Sequence, residues 1–372
     1  AGAQPPRDDS ARSGAGRTPG VSPVPVNFKI QPDTLVSKAG WKQKAKDNIA
    51  AIRTLKQIQA ENRYATPEEQ SILVKYVGWG ASELANNMFP TGSRLNVWSA
   101  GWNELGQELK DLLSPEEYAG ARASTPNAHY TSPEVIRGMY EALARMGFQG
   151  GRILEPGSGV GHFVRLLPDT MAANSRFTGV EMDPVSAAIG KLLYPKEDMR
   201  HGDYTKTTLP DGFFDVVIGN PPFEDTVITA DRRYAKHRFA LHDYFFAKSM
   251  DKLRPGGLMV LVTSRYTMDK ANDNLRDYLS ERGDFLGAIR LPQTAFKENA
   301  GTEVVTDVIF MRKRDEGEER GGKSWSGLVE ITTPQGKTHI NEYFVANPEM
   351  VLGRHALTGS MYGPGQYTVE PV

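Results

Sequence analysis

Apolar residues recur at helical spacing from Trp41 to Ala60, at Ile49, Ile52, Leu55 and Ile58, and predict an amphipathic helix. Two further helix starts follow, Thr66-Pro67-Glu68-Glu69 and Ser114-Pro115-Glu116-Glu117. Each joins a capping hydroxyl to a first-turn proline and to acids at the positive helix end. Between them, Val77-Gly78-Trp79-Gly80 reads as a packing corner, because tryptophan is mostly core. From about Pro126 the signal alternates. Strand candidates are Arg152–Glu155, Arg176–Glu181, Phe214–Gly219, Leu258–Thr263, Phe285–Arg290 and Val304–Met311. Helical stretches such as Pro133–Met146 and Phe239–Leu253 lie between them. Strands alternating with helices predict a wound α/β sheet with a parallel core. Four segments result: a disordered lead-in (1–26), a helical region (27–122), an α/β domain (123–314) and a small β appendage (315–372). In the last, a hairpin is expected around Pro334-Gln335-Gly336, followed by an extended glycine-rich tail from Leu352.

Chemistry concentrates where strands end. The run Phe214–Gly219 stops at Asn220-Pro221-Pro222-Phe223. Two prolines after a strand can neither extend a ladder nor begin an ordinary helical turn, so the backbone is stiff and its carbonyls stay free. The Asn220 side-chain oxygen and the Pro221 carbonyl can both accept from an exocyclic amine, while Phe223 stacks on the ring that bears it. The plain alternative is a strand-ending turn with a core phenylalanine.

A second constellation sits upstream. Glu155-Pro156-Gly157-Ser158-Gly159-Val160-Gly161 follows a short strand and opens a helix. Alternate glycines permit a tight turn and close ligand approach. An acid just before such a loop does not suit a pyrophosphate but does suit a cationic amine. The next strand ends in Glu181-Met182-Asp183, with Glu181 placed to hold ribose hydroxyls and Met182 to pack on an adenine face. Asp203 precedes the catalytic strand and can accept from an adenine amine. An amino group, a ribose and an adenine without a phosphate cradle describe S-adenosylmethionine better than a nicotinamide dinucleotide.

Composition narrows the field. At 372 residues the chain can hold two or three domains, and 39% hydrophobic with 24% charged residues is ordinary for a globular protein. There are no cysteines, which excludes disulfides, zinc–thiolate sites and cysteine nucleophiles, and no metal site is expected. The net charge of −1 requires any nucleic-acid contact to come from local patches. Neither a membrane-length apolar run nor a signal peptide is visible, so a cytoplasmic setting is expected. The chain begins with Ala1, which reads as a processed or excised piece.

In combination, these segments resemble the class I S-adenosylmethionine-dependent DNA adenine-N6 methyltransferases, over roughly residues 123–314. Asn127 to Pro133, with Tyr130 and Thr131, is similar to the stretch that helps hold the methionine part of the cofactor. Cofactor segments ahead of the catalytic one resemble the gamma arrangement of type I modification subunits. Ile289-Arg290-Leu291-Pro292 with Phe296 is similar to a late-strand segment there. The helical front end and the tail resemble, more loosely, phage and mobile-element proteins that fuse an adenine methylase to a helicase. The resemblance implies a Rossmann-like seven-stranded sheet, DNA as partner, and a helicase or ATPase region absent from this chain.

The implied reaction flips adenine out of the duplex, and its N6 amine attacks the sulfonium methyl in line. Asn220, Pro221, Pro222 and Phe223 form the catalytic motif, and Phe296 is a candidate second stacking wall. Arg232, Arg233, Lys236 and Arg238 form the strongest basic patch and are candidate phosphate contacts, with a solvated loop as the alternative. His242 is a candidate substrate contact or a packed helix histidine. Amines of RNA bases and glutamine amides of proteins are alternative acceptors, and a non-catalytic reader module is a rival of another class. Gly317 to Ser324 matches the phosphate-loop pattern letter for letter, yet no helix pattern follows it, so nucleotide binding is not expected there.

Overall fold

The computed structural model describes residues 24–30, 39–90, 97–125, 131–296, 304–360 and 363–372. Among the described residues five helices come first: α1 (Trp41–Glu61), α2 (Pro67–Leu73), α3 (Ser82–Met88), α4 (Asn103–Leu112) and α5 (Pro115–Ser124). α1 buries Ile49, Ile52, Leu55 and Ile58 on one face, the stripe its spacing predicts. Thr66 and Ser114 each close a capping box, with Glu69 and Glu117 respectively. Such caps typically contribute about 1 kcal/mol each. Asn48, fully buried, donates to Gly78 O (2.6 Å) and accepts from Val77 N (2.9 Å), which pins the Trp79 corner. Trp79 itself is 1% exposed, a packing residue.

The central domain runs α6 (Pro133–Arg145), β1 (Arg152–Pro156), α7 (His162–Arg165), α8 (Asp169–Ala172), β2 (Arg176–Glu181), α9 (Pro184–Leu193), β3 (Asp198–His201) and β4 (Phe214–Gly219). α10 (Leu241–Lys252), β5 (Leu253–Ser264), α11 (Tyr266–Asp269), α12 (Asn274–Ser280), β6 (Gly283–Leu291) and β7 (Thr306–Lys313) complete it. The seven strands lie in the order β3-β2-β1-β4-β5-β7-β6. β3 through β5 pair in parallel, and β7 runs antiparallel between β5 and β6. That is the Rossmann-like seven-stranded sheet expected from the sequence. The chain winds outward from β1 to β3 and then returns to place β4 on the other side of β1. The crevice at this reversal is where open α/β sheets bind ligands.

The helical layer is fastened to the α/β domain through α9. Gln70 donates to Leu192 O (3.1 Å), and Phe28 N to Leu193 O (2.7 Å), both at the end of α9.

Beyond the sheet, β8 (Leu328–Thr333) and β9 (Gly336–Asn341) form the expected hairpin and are followed by α13 (Glu342–Ala346). The tail corrects the expectation of an extended end. β10 (Arg354–Gly359) and β11 (Gln366–Glu370) pair antiparallel, because the intervening glycines allow the chain to double back. The phosphate-loop look-alike lies flat along β6. Lys323 N donates to Phe285 O (2.8 Å), Trp325 stacks on Phe285 at 4.2 Å, and a strand follows in place of a helix.

The appendage is locked to the sheet by a charge that sequence patterning hides. Arg290, 0% exposed, donates through Nε and Nη2 to both oxygens of Asp307 (2.8 Å each) and through Nη1 to Asp269 (2.8 Å). Nη1 also reaches the Tyr367 hydroxyl of β11 (3.3 Å), and the guanidinium lies 4.3 Å from the Phe344 ring. The two carboxylates hold the Arg290 guanidinium firmly protonated against the cost of burial.

Candidate active site

The loops after β1 and β4 flank the reversal point. Gly157 N and Ser158 N both donate to Val180 O (2.8 and 2.9 Å), which stitches the first loop to β2. Gly161 (φ 97°) admits no side chain, since a Cβ there would lie 2.5 Å from the Tyr194 ring. Gly159 differs: a Cβ there would meet nothing within 4 Å, so the loop presents an open backbone face. Glu181 ends β2 and reaches back under this loop. It accepts from Gly159 N (2.9 Å) and Asp183 N (2.8 Å), and burial pushes its carboxyl up to about 7.

Glu155, 2% exposed, has an Oε1 that is buried with no hydrogen-bond partner among the described residues. Burial first, then the nearby Glu181, raise its carboxyl well above the usual range. A buried acid oxygen with no partner is a strong pull on an incoming cationic donor. A cation-seeking Glu155, a diol-accepting Glu181 and the open Gly159 backbone fit the amino and ribose groups of S-adenosylmethionine. Met182 is 68% exposed beside them, free to cover a flat ring. Asp203 is more committed than expected: its Oδ1 accepts from Thr205 N (2.9 Å) and Thr205 Oγ1 (2.8 Å), closing its own turn. Lys248 braces that turn by donating to Tyr204 O (2.5 Å) and Thr207 O (2.8 Å), and burial brings its amine down to about 8. Tyr130 lies outside the described residues.

The Asn220–Phe223 segment leaves β4 directly across from the cofactor loop. At Gly157 a Cβ would lie 3.7 Å from Pro222 Cδ, and at Gly219 one would lie 3.1 Å from Glu155 Cγ. At Gly157 the positive φ of 71° is what favours glycine, while at Gly219 a side chain would crowd Glu155. Asn220 Nδ2 donates to Thr131 Oγ1 (3.0 Å), and Thr131 is 6% exposed, so the amide orientation is fixed from the segment before β1. Phe223 stands edge-to-face against His242 at 5.3 Å. His242 is held by Thr263 Oγ1 (3.0 Å), and burial brings its imidazole down to about 3, so it stays neutral. It supports the ring of Phe223 and also touches the cleft described next.

Phe223 and His242 line a cavity of about 770 Å³. Gly80, Ser82 and Asn86 of the helical layer, Arg265 and Tyr266 after β5, and Gln366 and Tyr367 of β11 complete its walls. Phe296 does not reach it. That ring is 2% exposed within the main hydrophobic cluster, so the candidate second wall is a core residue in this structure. Arg232, Arg233, Lys236 and Arg238 are all exposed on the loop after the Asn220–Phe223 segment. Arg233 is paired with Asp211 (2.8 Å) and lies 3.5 Å from the buried Asp251. The tyrosines of this region are structural, with Tyr234 and Tyr278 both donating to Asp251 (2.6 and 2.5 Å). Sequence reasoning missed Arg265, Tyr266 and Tyr367, because they are far from any motif and converge only through the sheet order. No three-residue cluster able to hold a metal ion occurs among the described residues, and no helix among them is long and apolar enough to cross a membrane.

Residues 182–294 match the Eco57I restriction-modification methylase family. The chain is similar to the Defense against restriction protein B of Escherichia phage P1, at 31% identity over 214 residues, covering 56% of this chain and 9% of that protein. It is similar to the Type II methyltransferase M.TthHB8I of Thermus thermophilus, at 26% identity, covering 56% of this chain and 51% of that protein. A Mycolicibacterium smegmatis protein described as a probable S-adenosylmethionine-dependent methyltransferase is 29% identical over 167 residues, 45% of this chain and 57% of that one. The chain thus spans under two thirds of each of these relatives. The resemblance to class I S-adenosylmethionine-dependent DNA methyltransferases is borne out by these matches, with S-adenosylmethionine as the cofactor.

Proposed function

We propose that the chain transfers a methyl group from S-adenosylmethionine to the exocyclic N6 amine of adenine in DNA. The observation that carries this reading is the closeness of the two loops: Pro222 lies within van der Waals reach of Gly157, 3.7 Å from where a Cβ would stand, and the Asn220 amide is held by Thr131 at the start of the same segment. DNA as the substrate is supported by the match to a restriction-modification methylase family and by the exposed basic loop 232–238.

Adenine N6 is a poor nucleophile because its lone pair is delocalised into the ring. Asn220 Oδ1 and the Pro221 carbonyl accept its two hydrogens, which draws the nitrogen toward tetrahedral geometry and returns the lone pair to it. Phe223, braced by His242, holds the ring plane. Glu155 takes the cofactor's amino group and Glu181 its ribose, while Met182 and the Asp203 turn cover its adenine. The bound cofactor supplies an electrophilic methyl on sulfur. N6 would form its bond to the methyl as the sulfur–methyl bond breaks, leaving a neutral thioether, and the surplus amine proton would pass to solvent; no covalent enzyme intermediate is needed, consistent with a chain that has no cysteine. Base flipping follows from the target atom lying inside the duplex stack.

DNA is the proposed partner. A further region acting beside this chain is supported by the 9% coverage of the phage P1 relative. That this region is a helicase or ATPase rests on the sequence resemblance alone.

The test is methyl transfer from labelled S-adenosylmethionine to unmethylated plasmid, with RNA and a protein extract in parallel. N6-methyladenine in the digested plasmid is the expected product. Label confined to RNA or protein would overturn the substrate, and cofactor binding without transfer to anything would overturn the activity.

A further inference from the structure

Of the exposed large apolar side chains among the described residues, Tyr266 is the one that lines the cleft beside Phe223. It is 43% exposed at the first position of α11. The other aromatic residues there are spoken for. Tyr367 is 7% exposed, and its hydroxyl meets Arg290 (3.3 Å) and His355 (2.7 Å). His242 is buried behind Phe223.

We infer that Tyr266 is the second aromatic wall for the target base, facing Phe223 across the cleft. This rests on the reading of the cleft as the place where a flipped adenine sits. Strands β4 and β5 pair in parallel with Gly219 opposite Leu261. Phe223 lies four residues past Gly219 and Tyr266 five past Leu261, so both side chains emerge from adjacent strands at the same sheet edge. Adjacent strands lie about 4.8 Å apart, and loops that leave them can bracket one planar ring.

The ring of Tyr266 is also backed. The Arg265 guanidinium lies 4.8 Å from its centroid and 4.6 Å from that of Tyr367. Arg265 is itself held by the buried Asp269 at 3.0 Å, and Asp269 is the carboxylate that Arg290 grips. A cation fixed behind an aromatic ring holds that ring in place and leaves its other face for a ligand. The buried network that docks the β appendage therefore ends on a side chain exposed to the cleft. Stacking tolerates every base, so Tyr266 contributes affinity and positioning of the ring, and the amine contacts remain with Asn220 and Pro221.

The test uses the full chain, with Tyr266→Phe and Tyr266→Leu, and a short oligodeoxyadenylate as probe. An 8-azidoadenine version of the probe is cross-linked under ultraviolet light, and the adducts are mapped by peptide mass. The expected result is adduct on the peptide that carries Tyr266. Binding of the unmodified probe should weaken about tenfold in Tyr266→Leu and change less than about twofold in Tyr266→Phe, since stacking follows the ring and not the hydroxyl. Melting temperatures of the three proteins should agree. Adduct confined to other peptides, or equal binding by the leucine variant, overturns the assignment. Equal weakening of both variants with lowered melting temperatures also overturns it, as a structural role would give. A wild-type chain that cross-links through Tyr266 yet methylates no plasmid would sink the transferase reading and keep the tyrosine.

Discussion

Asn220 Nδ2 and Thr131 Oγ1 lie 3.0 Å apart and join two segments that are 89 residues distant in sequence. The amide that is proposed to hold the substrate amine is thereby oriented by a hydroxyl from the segment ahead of the first strand. Asn220→Ala should abolish methyl transfer and leave cofactor binding intact. Thr131→Val should be milder, lowering kcat about fivefold at nearly constant KM, because one neutral hydrogen bond is worth about 1 kcal/mol. Steady-state kinetics on plasmid DNA, beside a calorimetric titration of cofactor, separates the two. Full activity of Asn220→Ala would falsify the mechanism.

Glu155 leads to a proton-linked prediction. Its carboxyl is raised well above the ordinary carboxylate range by burial and by Glu181, so the empty site favours the protonated form. An arriving ammonium group favours the ionised form, and the proton must leave. Binding near pH 7.5 should therefore release protons, and the apparent binding enthalpy should differ between phosphate and Tris buffers. Glu155→Gln should bind more weakly and lose most of this buffer dependence. Equal enthalpies in both buffers for the wild type would remove the linkage.

Glu181 is shifted in the same direction. Its folded value of about 7 stands above the ordinary value of 4.5, so the folded chain binds the extra proton between those limits. Its contribution to stability is present below about pH 4.5 and is lost as pH rises toward 7. Ribose hydroxyls prefer to donate to the ionised carboxylate, so cofactor affinity should climb as pH passes up through about 7. Glu181→Gln should flatten both profiles. Urea midpoints and cofactor affinities measured from pH 5 to 8.5 check this, and a flat wild-type affinity would count against the ribose role.

How far the sequence reveals the site differs by distance along the chain. Glu155 to Gly161, Glu181 and Asn220 to Phe223 are legible because each lies at the end of an apolar run, and an α/β sheet gathers strand ends at one edge. β3 is not legible: in Asp198-Met199-Arg200-His201 only Met199 is buried, so an edge strand carries almost no pattern. The placement of β7 between β5 and β6 is equally invisible, since pairing order leaves no periodic trace. Arg290 reads only as the end of a strand, and its burial is not legible because its two acids come from 17 and 21 residues away. Phe296 and Tyr266 show the same limit in opposite directions. One aromatic near a motif proves buried, and one far from any motif proves exposed in the cleft.

The Arg290 junction predicts a large loss of stability. Arg290→Ala leaves Asp307 buried without its paired cation and Asp269 with Arg265 alone, and breaking such a buried pair typically costs about 3–5 kcal/mol. Arg290→Lys should recover only part of this, because an ammonium cannot form the paired bonds to both Asp307 oxygens. Denaturant unfolding gives the measure, and a loss below about 1 kcal/mol for the alanine variant would mean the acids find other partners.

The basic loop after the catalytic segment should divide by role. Arg232, Lys236 and Arg238 are exposed, whereas Arg233 is drawn toward Asp211 and Asp251. Each of the first three, if it meets a phosphate, should lower the slope of log affinity against log salt by about one when changed to alanine, without altering the methylated sequence. Arg238 sits at φ 50°, so Arg238→Asn is the cleaner variant there, as asparagine tolerates that backbone. Arg233→Ala should instead cost less than about 1 kcal/mol of stability, since the pair is half exposed, and should leave the salt slope nearly unchanged. Affinity for a non-specific duplex, measured from about 50 to 200 mM salt, reads these slopes directly. Unchanged slopes for Arg232, Lys236 and Arg238 together would return the loop to the status of a solvated surface.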